Sequence, residues 1–205
     1  MRIAAFLLSV LLFSCSGEPV GKCIVVVQPY EGFSNEKTVS LCSTIESFYH
    51  VRTMVLPSRK LYRKAFINVK SPRYRADYII RAQKKVIPNA ASYIVGLTSE
   101  DISTTKKEAD GTIKMPASKY RDWGVMGLGY CPGNSCVVSD FRLRSKNQKL
   151  FFLRLKKVAV HEIGHNLGLP HCPNKSCVMT DAVERIATID HAALKLCSAC
   201  DRKIN

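Results

Sequence analysis

No acidic, Gly/Ser-rich or Gln/Asn-rich tract interrupts this sequence of 205 residues, and no segment of it repeats. Disordered, fibrous, coiled-coil and solenoid architectures are therefore excluded. No Pro/Gly/Ser-rich linker divides the chain, so it reads as one domain around a single core, a size its length allows. Acidic residues are scarce, 16 against 31 lysines and arginines, which leaves a formal charge of +15. That excess invites an anionic partner without naming one. Long apolar runs are scarce too: Ile3 to Phe13 is too short to span a bilayer, and no later stretch is long enough. The remaining composition, 46% hydrophobic and 23% charged, is that of an ordinary globular protein.

The beginning of the chain belongs to export rather than to the fold. Arg2 followed by the apolar run to Phe13 has the form of a secretory signal. The run ends in Leu12-Phe13-Ser14-Cys15, which resembles a bacterial lipobox. Cys15 is then the expected lipidated first residue of the mature chain, with ordinary signal cleavage as the alternative. Residues 1–14 read as a lipoprotein-type signal peptide, 15–20 as a short tether and 21–205 as the folded domain. The expected location is the bacterial envelope, in the periplasm or at the membrane surface through a lipid anchor; a soluble secreted form is the alternative.

An exported chain meets an oxidising compartment, so its cysteines need an account. Nine are present, and setting Cys15 aside leaves eight. Cys131 and Cys136 flank a Pro-Gly turn, where a hairpin-closing disulfide is expected. Cys23 with Cys42 is open between a disulfide and two buried thiols.

Strand and helix signals alternate along the domain. Cys23 to Val27 is a β-branched run ended by Pro29, which reads as a buried strand. Leu41, Cys42, Ile45, Phe48 and Tyr49 fall at helical spacing within Asn35 to Tyr49. Val51 to Leu56 reads as a second strand and Tyr93 to Leu97 as a third. Between them a helix is predicted from about Ser71 to Val86, begun at Pro72 and stopped at Pro88. Gly124 to Tyr130 and Val137 to Leu143 read as the two strands of an antiparallel hairpin. An apolar stripe through Phe152, Leu155, Ala159, Ile163 and Leu167 marks a long helix over about Asn147 to Leu167, and a short helix is predicted from Thr188 to Leu196. The fold class is α/β, with helices packed on a twisted mixed sheet.

The long helix carries His161-Glu162-Ile163-Gly164-His165. Residues four apart share a helical face, so both imidazoles can reach one Zn²⁺ at about 2.0–2.1 Å. Glu162 is placed to take the proton of a zinc-activated water and deliver it to a leaving amine. Gly168 follows, able to adopt the positive φ that ends a helix abruptly, and His171 comes within range as a third ligand. Three ligands and an open position are the arrangement of a catalytic zinc, whereas a closed set of four is structural. His50 and His191 have no partner at ligand spacing and read as surface or core residues.

These residues, with Cys172, Cys177, Met179, Cys197 and Cys200 at the matching intervals, give the pattern His-Glu-x-x-His-x-x-Gly-x-x-His-Cys, Cys-x-Met, Cys-x-x-Cys over forty residues. In this pattern the chain resembles the archaemetzincins, a family of the metzincin clan of zinc metallopeptidases. The resemblance implies a compact single-domain metzincin-like fold with a long active-site helix. It implies a catalytic zinc on His161, His165 and His171, Glu162 as general base and acid, and Met179 in a Met-turn beneath the metal. It also implies a second, structural zinc on Cys172, Cys177, Cys197 and Cys200. Four thiolates in two short-spaced pairs suit tetrahedral zinc, and two disulfides are the alternative.

Two functions follow from this reading. The first is a zinc-dependent peptidase acting on a peptide or protein substrate that adds as a strand along Gly124 to Tyr130, whose glycines permit close backbone approach. The second is a weakly active or inactive zinc-stabilised binding protein that holds an anionic envelope ligand on a basic surface. Eleven lysines and arginines and a single acid, Asp77, lie between Arg52 and Lys85, with Arg73, Arg75, Arg81, Lys84 and Lys85 on or beside the helix predicted there. Nucleic acid is not expected, because no strand interleaves aromatic and basic residues. A monomer is expected.

Overall fold

The run Ile24–Pro29 forms β1, and every residue from Val25 to Pro29 is buried because the strand has neighbours on both sides and helices over both faces. The computed structural model describes residues 23–181 and 185–204. The segments expected to be a signal peptide and a tether, with Cys15, lie outside the described residues. Helix α1 (Asn35–Tyr49) follows β1, its first turn capped by Ser34 Oγ accepting from the Lys37 N–H. It ends where His50 takes a left-handed φ of 54°, and the chain returns as β2 (Arg52–Val55).

The principal sheet is completed by β5 (Tyr93–Thr98), β8 (Gly127–Gly129) and β9 (Ser135–Ser139), in the order β2-β1-β5-β9-β8. All its neighbours pair in parallel except β8, which lies antiparallel to β9 at the edge. A second sheet has the order β3-β4-β6-β7, formed by Phe66–Asn68, Pro72–Arg75, Ile102–Thr104 and Trp123–Val125. The expected mixed α/β architecture is present, divided between two sheets.

Both faces of the principal sheet are covered. Cys136 and Val138 of β9 join Val25, Val27, Val95 and Leu97 in the larger apolar core, which takes in α1 and α4 (Gln148–Asn166). Val137, between them on β9, faces the other way and packs with Ile79 and Ile80 of α2 (Ala76–Lys84). Gln83 of α2 is wholly buried, and its amide donates to Ser135 Oγ and the Cys136 carbonyl while its oxygen accepts from Tyr30 Oη. Gly96 is required opposite it, since a Cβ there would collide with Gln83 Oε1. Helix α3 (Ala117–Tyr120) precedes β7, and α5 (Ile186–His191) and α6 (Ser198–Asp201) close the chain.

Three expectations are corrected. The helix predicted from Ser71 begins at Ala76, because Pro72–Arg75 pair with β3 and β6 instead. Pro72 serves as the first residue of a strand, a place its missing N–H allows as readily as a helix start. The strand predicted over Gly124 to Tyr130 divides at Met126, giving β7 to the small sheet and β8 to the large one. Its partner ends at Ser139, with Phe141–Leu143 in a 3-10 turn. The helix predicted over Thr188 to Leu196 is the shorter α5, which starts at Ile186 and ends at His191, and α6 forms beyond the predicted bounds.

Candidate active site

Helix α4 is capped by Asn147, whose Oδ1 accepts from the Leu150 N–H at 3.2 Å, and it runs unbroken to Asn166. It thereby places His161 and His165 one turn apart, their ring centroids 4.5 Å from each other. The helix is stopped by Gly168 at φ +90°, with the Gly168 N–H donating to the His165 carbonyl and the Leu169 N–H to that of Gly164. That reversal carries His171 back to within 5.4 Å of His161 and 4.8 Å of His165, measured between ring centroids. One nitrogen from each of the three rings lies within 4.8 Å of the others.

The rings are oriented from behind. His161 Nδ1 meets the Val178 carbonyl at 2.8 Å, and His165 Nδ1 meets the Leu169 carbonyl at 2.7 Å. A carbonyl can only accept, so each Nδ1 carries the hydrogen and each Nε2 presents a lone pair. Burial pushes the His161 pKa down to about 3 and lowers that of His165, which keeps both rings in the neutral, ligating form. His171 Nδ1 stands 3.8 Å from Asp181 Oδ2. The donor set fits a divalent zinc ion.

Met179 is wholly buried beneath the same turn of helix. Its sulfur packs on Gly164, where a Cβ would come within 2.5 Å of it, and its carbonyl accepts from the Cys172 N–H at 2.8 Å. The segment around Met179 therefore supports the helix below and supplies, through Val178, the carbonyl that orients His161. Glu162 is 7% exposed and lies against β8. Burial pushes its pKa up to about 8, and a hydrogen bond from the Gly129 N–H offsets part of that rise.

The Sγ atoms of Cys172, Cys177, Cys197 and Cys200 form a second cluster, all within 4.8 Å of one another and none joined in a disulfide. Cys197 caps α6, and the Cys200 N–H pulls its thiol pKa down to about 7. The Cys197 N–H in turn donates to Cys177 Sγ at 3.3 Å. The cluster links the segment after His171 to the last helix, and four thiol donors at this separation fit tetrahedral zinc.

Cys131 and Cys136 are not joined. Cys131 is exposed at the turn, whereas Cys136 points into the core beneath α4, where burial raises its thiol pKa well above the ordinary value. Cys23 and Cys42 are free thiols, half-buried and buried. His50 and His191 are exposed. The basic stretch loses part of its surface: Arg73 is buried between Asp101 and Asp122, and Arg75 pairs with Asp77 and caps the Arg121 carbonyl.

Some supporting residues carried no motif. Tyr49 Oη donates to the Val160 carbonyl at 2.7 Å and steadies α4 just before His161. Asn166 Nδ2 donates to the carbonyls of Tyr130 and Ser135, tying the β8–β9 turn to the helix end. Beside His161 a cavity of about 60 Å³ opens between α4, β8 and α5.

A sequence profile described as peptidase family M54 matches residues 64–205, more than two thirds of the chain. The chain belongs to peptidase family M54. As a member of M54 it is a zinc metallopeptidase of the archaemetzincin kind. An archaemetzincin of Halobacterium salinarum is 25% identical over 171 residues, which span 79% of this chain and 88% of that one. Another, from Haloquadratum walsbyi, is 27% identical over 139 residues, 63% of this chain and 70% of its own. The crystal structure of the Archaeoglobus fulgidus archaemetzincin, complexed with malonate, superposes with a TM-score of 0.70 at 26% identity, covering 88% of this chain and 99% of that one. That of Methanopyrus kandleri shares the fold with a TM-score of 0.71 at 24% identity, over 90% and 94% of the two chains.

Proposed function

We propose that this M54 peptidase hydrolyses peptide bonds with Glu162 as the proton carrier, at a catalytic zinc site formed by His161, His165 and His171. The observation that carries the reading is the convergence of three neutral imidazoles beside one buried carboxyl group on the same helix. Zinc held there would polarise the scissile carbonyl and make a bound water more acidic. Glu162 in its ionised form, favoured by a zinc charge beside it against the burial that raises its pKa, takes a proton from the attacking water as the water oxygen bonds to the carbonyl carbon. It returns that proton to the amide nitrogen as the C–N bond breaks. Gly129 fixes the carboxyl group through its N–H, and the contact of Glu162 with β8 limits its rotamers.

Strand β8 stands at the edge of the principal sheet, with β9 on one side. An extended peptide pairing along its other side would bring a backbone carbonyl towards the histidines. The four cysteines would hold a second zinc with a structural role, its binding energy contributing to the folded state. The lipobox-like sequence ending at Cys15 supports placement at a bacterial envelope.

The test is elemental analysis of purified protein followed by mass spectrometry of a mixed peptide substrate. Chelator-sensitive cleavage that is absent from the Glu162→Gln variant supports the reading. Cleavage by that variant at the wild-type rate would overturn it.

A further inference from the structure

The cavity beside the histidines carries a charge that peptide hydrolysis does not require. Its walls are largely apolar, from Val125, Val158, Val178 and Ile189, yet Lys157 and Thr180 also line it. Lys157 is 4% exposed and Thr180 is 1% exposed. Lys157 and His161 are four residues apart, so they project from one face of α4 about 6 Å apart.

The Lys157 ammonium donates to the carbonyls of Ile189 at 2.8 Å and Asp190 at 3.2 Å, at the end of α5. An ammonium has three N–H groups, and these carbonyls take two. The Asp190 carboxylate is committed elsewhere, in a bidentate pair with Arg154. Thr180 Oγ1 is buried with no hydrogen-bond partner among the described residues. A buried cation with an uncommitted donor and a buried hydroxyl without a partner are both unfavourable in apolar surroundings. An acceptor brought in by a ligand relieves both. In such surroundings a carboxylate is bound more strongly than an amide, because it meets the ammonium as a charge.

We propose that this cavity is a specificity pocket for an acidic side chain, gripped by Lys157 and Thr180, so that the enzyme cleaves beside glutamate or aspartate. The inference rests on the peptidase reading above. Glu162 borders the same cavity at the histidine end, about 7.5 Å along the helix axis from Lys157. The α5 end is thus where the substrate carboxylate sits, away from the catalytic one.

Two peptide mixtures test this, random except for a central glutamate in one and a central glutamine in the other. Affinity is read by fluorescence anisotropy on the zinc-loaded Glu162→Gln variant, and kcat/KM is read on the otherwise unaltered enzyme. Glutamate is expected to be favoured about tenfold in both measurements. Lys157→Met should bring the ratio close to one, and Thr180→Val should reduce it in part. Equal treatment of the two mixtures, or a preference that survives in folded Lys157→Met protein, would overturn the proposal and leave Lys157 as a cap for α5. Should Lys157→Met fail to fold, Thr180→Val carries the same comparison. Preferential binding without cleavage of either mixture would defeat the peptidase reading and leave the pocket standing, whereas equal cleavage of both would do the reverse.

Discussion

The backbone of Gly127 lies so close to the Glu162 side chain that a Cβ at position 127 would fall 2.6 Å from both its Cγ and its Oε1. Strand β8 and helix α4 therefore meet at a carboxyl group rather than at an apolar contact, and the strand edge helps to set where that carboxyl group points. Gly127→Ala must displace either the strand or Glu162. We expect a folded protein with its metal retained and kcat/KM reduced about 100-fold, the cost of a misplacement of about 1 Å at a reacting group. Peptide kinetics and zinc content on the same sample check this. Unchanged kcat/KM would show that β8 does not position the carboxyl group.

Glu162→Gln separates chemistry from metal binding. The amide is nearly isosteric, so the histidines and the Gly129 N–H should keep their places. Zinc content should match wild type while kcat falls about 100- to 10,000-fold, the usual worth of a positioned general base. Loss of zinc along with activity would give Glu162 a part in holding the metal.

Helix α4 and its ligands were legible because two local signals agree: the apolar stripe through Leu155, Ala159 and Ile163, and Gly168 at the stop. The four thiols were legible as a group through their spacing. What the sequence hid depends on distant partners. Arg73 sits in a basic stretch, and nothing local reveals that Asp101 and Asp122 enclose it. The run from Gly124 to Tyr130 has strand character throughout, and periodicity cannot say that its two halves join different sheets. Cys131 and Cys136 have hairpin spacing, but the alternation of β9 turns Cys136 towards α4 beside Val138. Nothing local to Lys157 reveals that the end of α5 supplies carbonyls to its ammonium.

The Arg154–Asp190 pair predicts an acid-dependent stability. Arg154 Nε and one of its terminal nitrogens meet the two Asp190 oxygens at 2.6 Å each, bracing α5 against α4. The hydrogen bonds from Arg154 hold the Asp190 carboxyl below its ordinary pKa. A carboxyl lowered in the folded state stabilises above the unfolded value of about 3.9, and that contribution fades as pH falls through the folded value. Asp190→Asn should therefore cost about 1 kcal/mol near neutral pH, and the difference should vanish in strong acid. Urea midpoints of the two proteins across that range check the sign; a constant difference would assign the effect to packing rather than charge.

Cys177→Ser tests whether the sulfur cluster holds metal. Cys177 is buried, and its Sγ accepts from the Cys197 N–H, so it sits at the junction between the segment bearing Met179 and the start of α6. If a zinc ion joins these segments, serine replaces a thiolate with a poorer donor and part of the binding energy is lost from folding. Zinc content should fall from about two ions per chain to about one, and Tm should drop by about 5–10 °C. The loss should reach the histidines as well, because the Val178 carbonyl that orients His161 adjoins Cys177 in the chain. A lower affinity for the remaining zinc, measured by competition with a chelating dye, is the expected sign of that coupling. Unchanged zinc content and Tm would show that the four thiols pack without a metal.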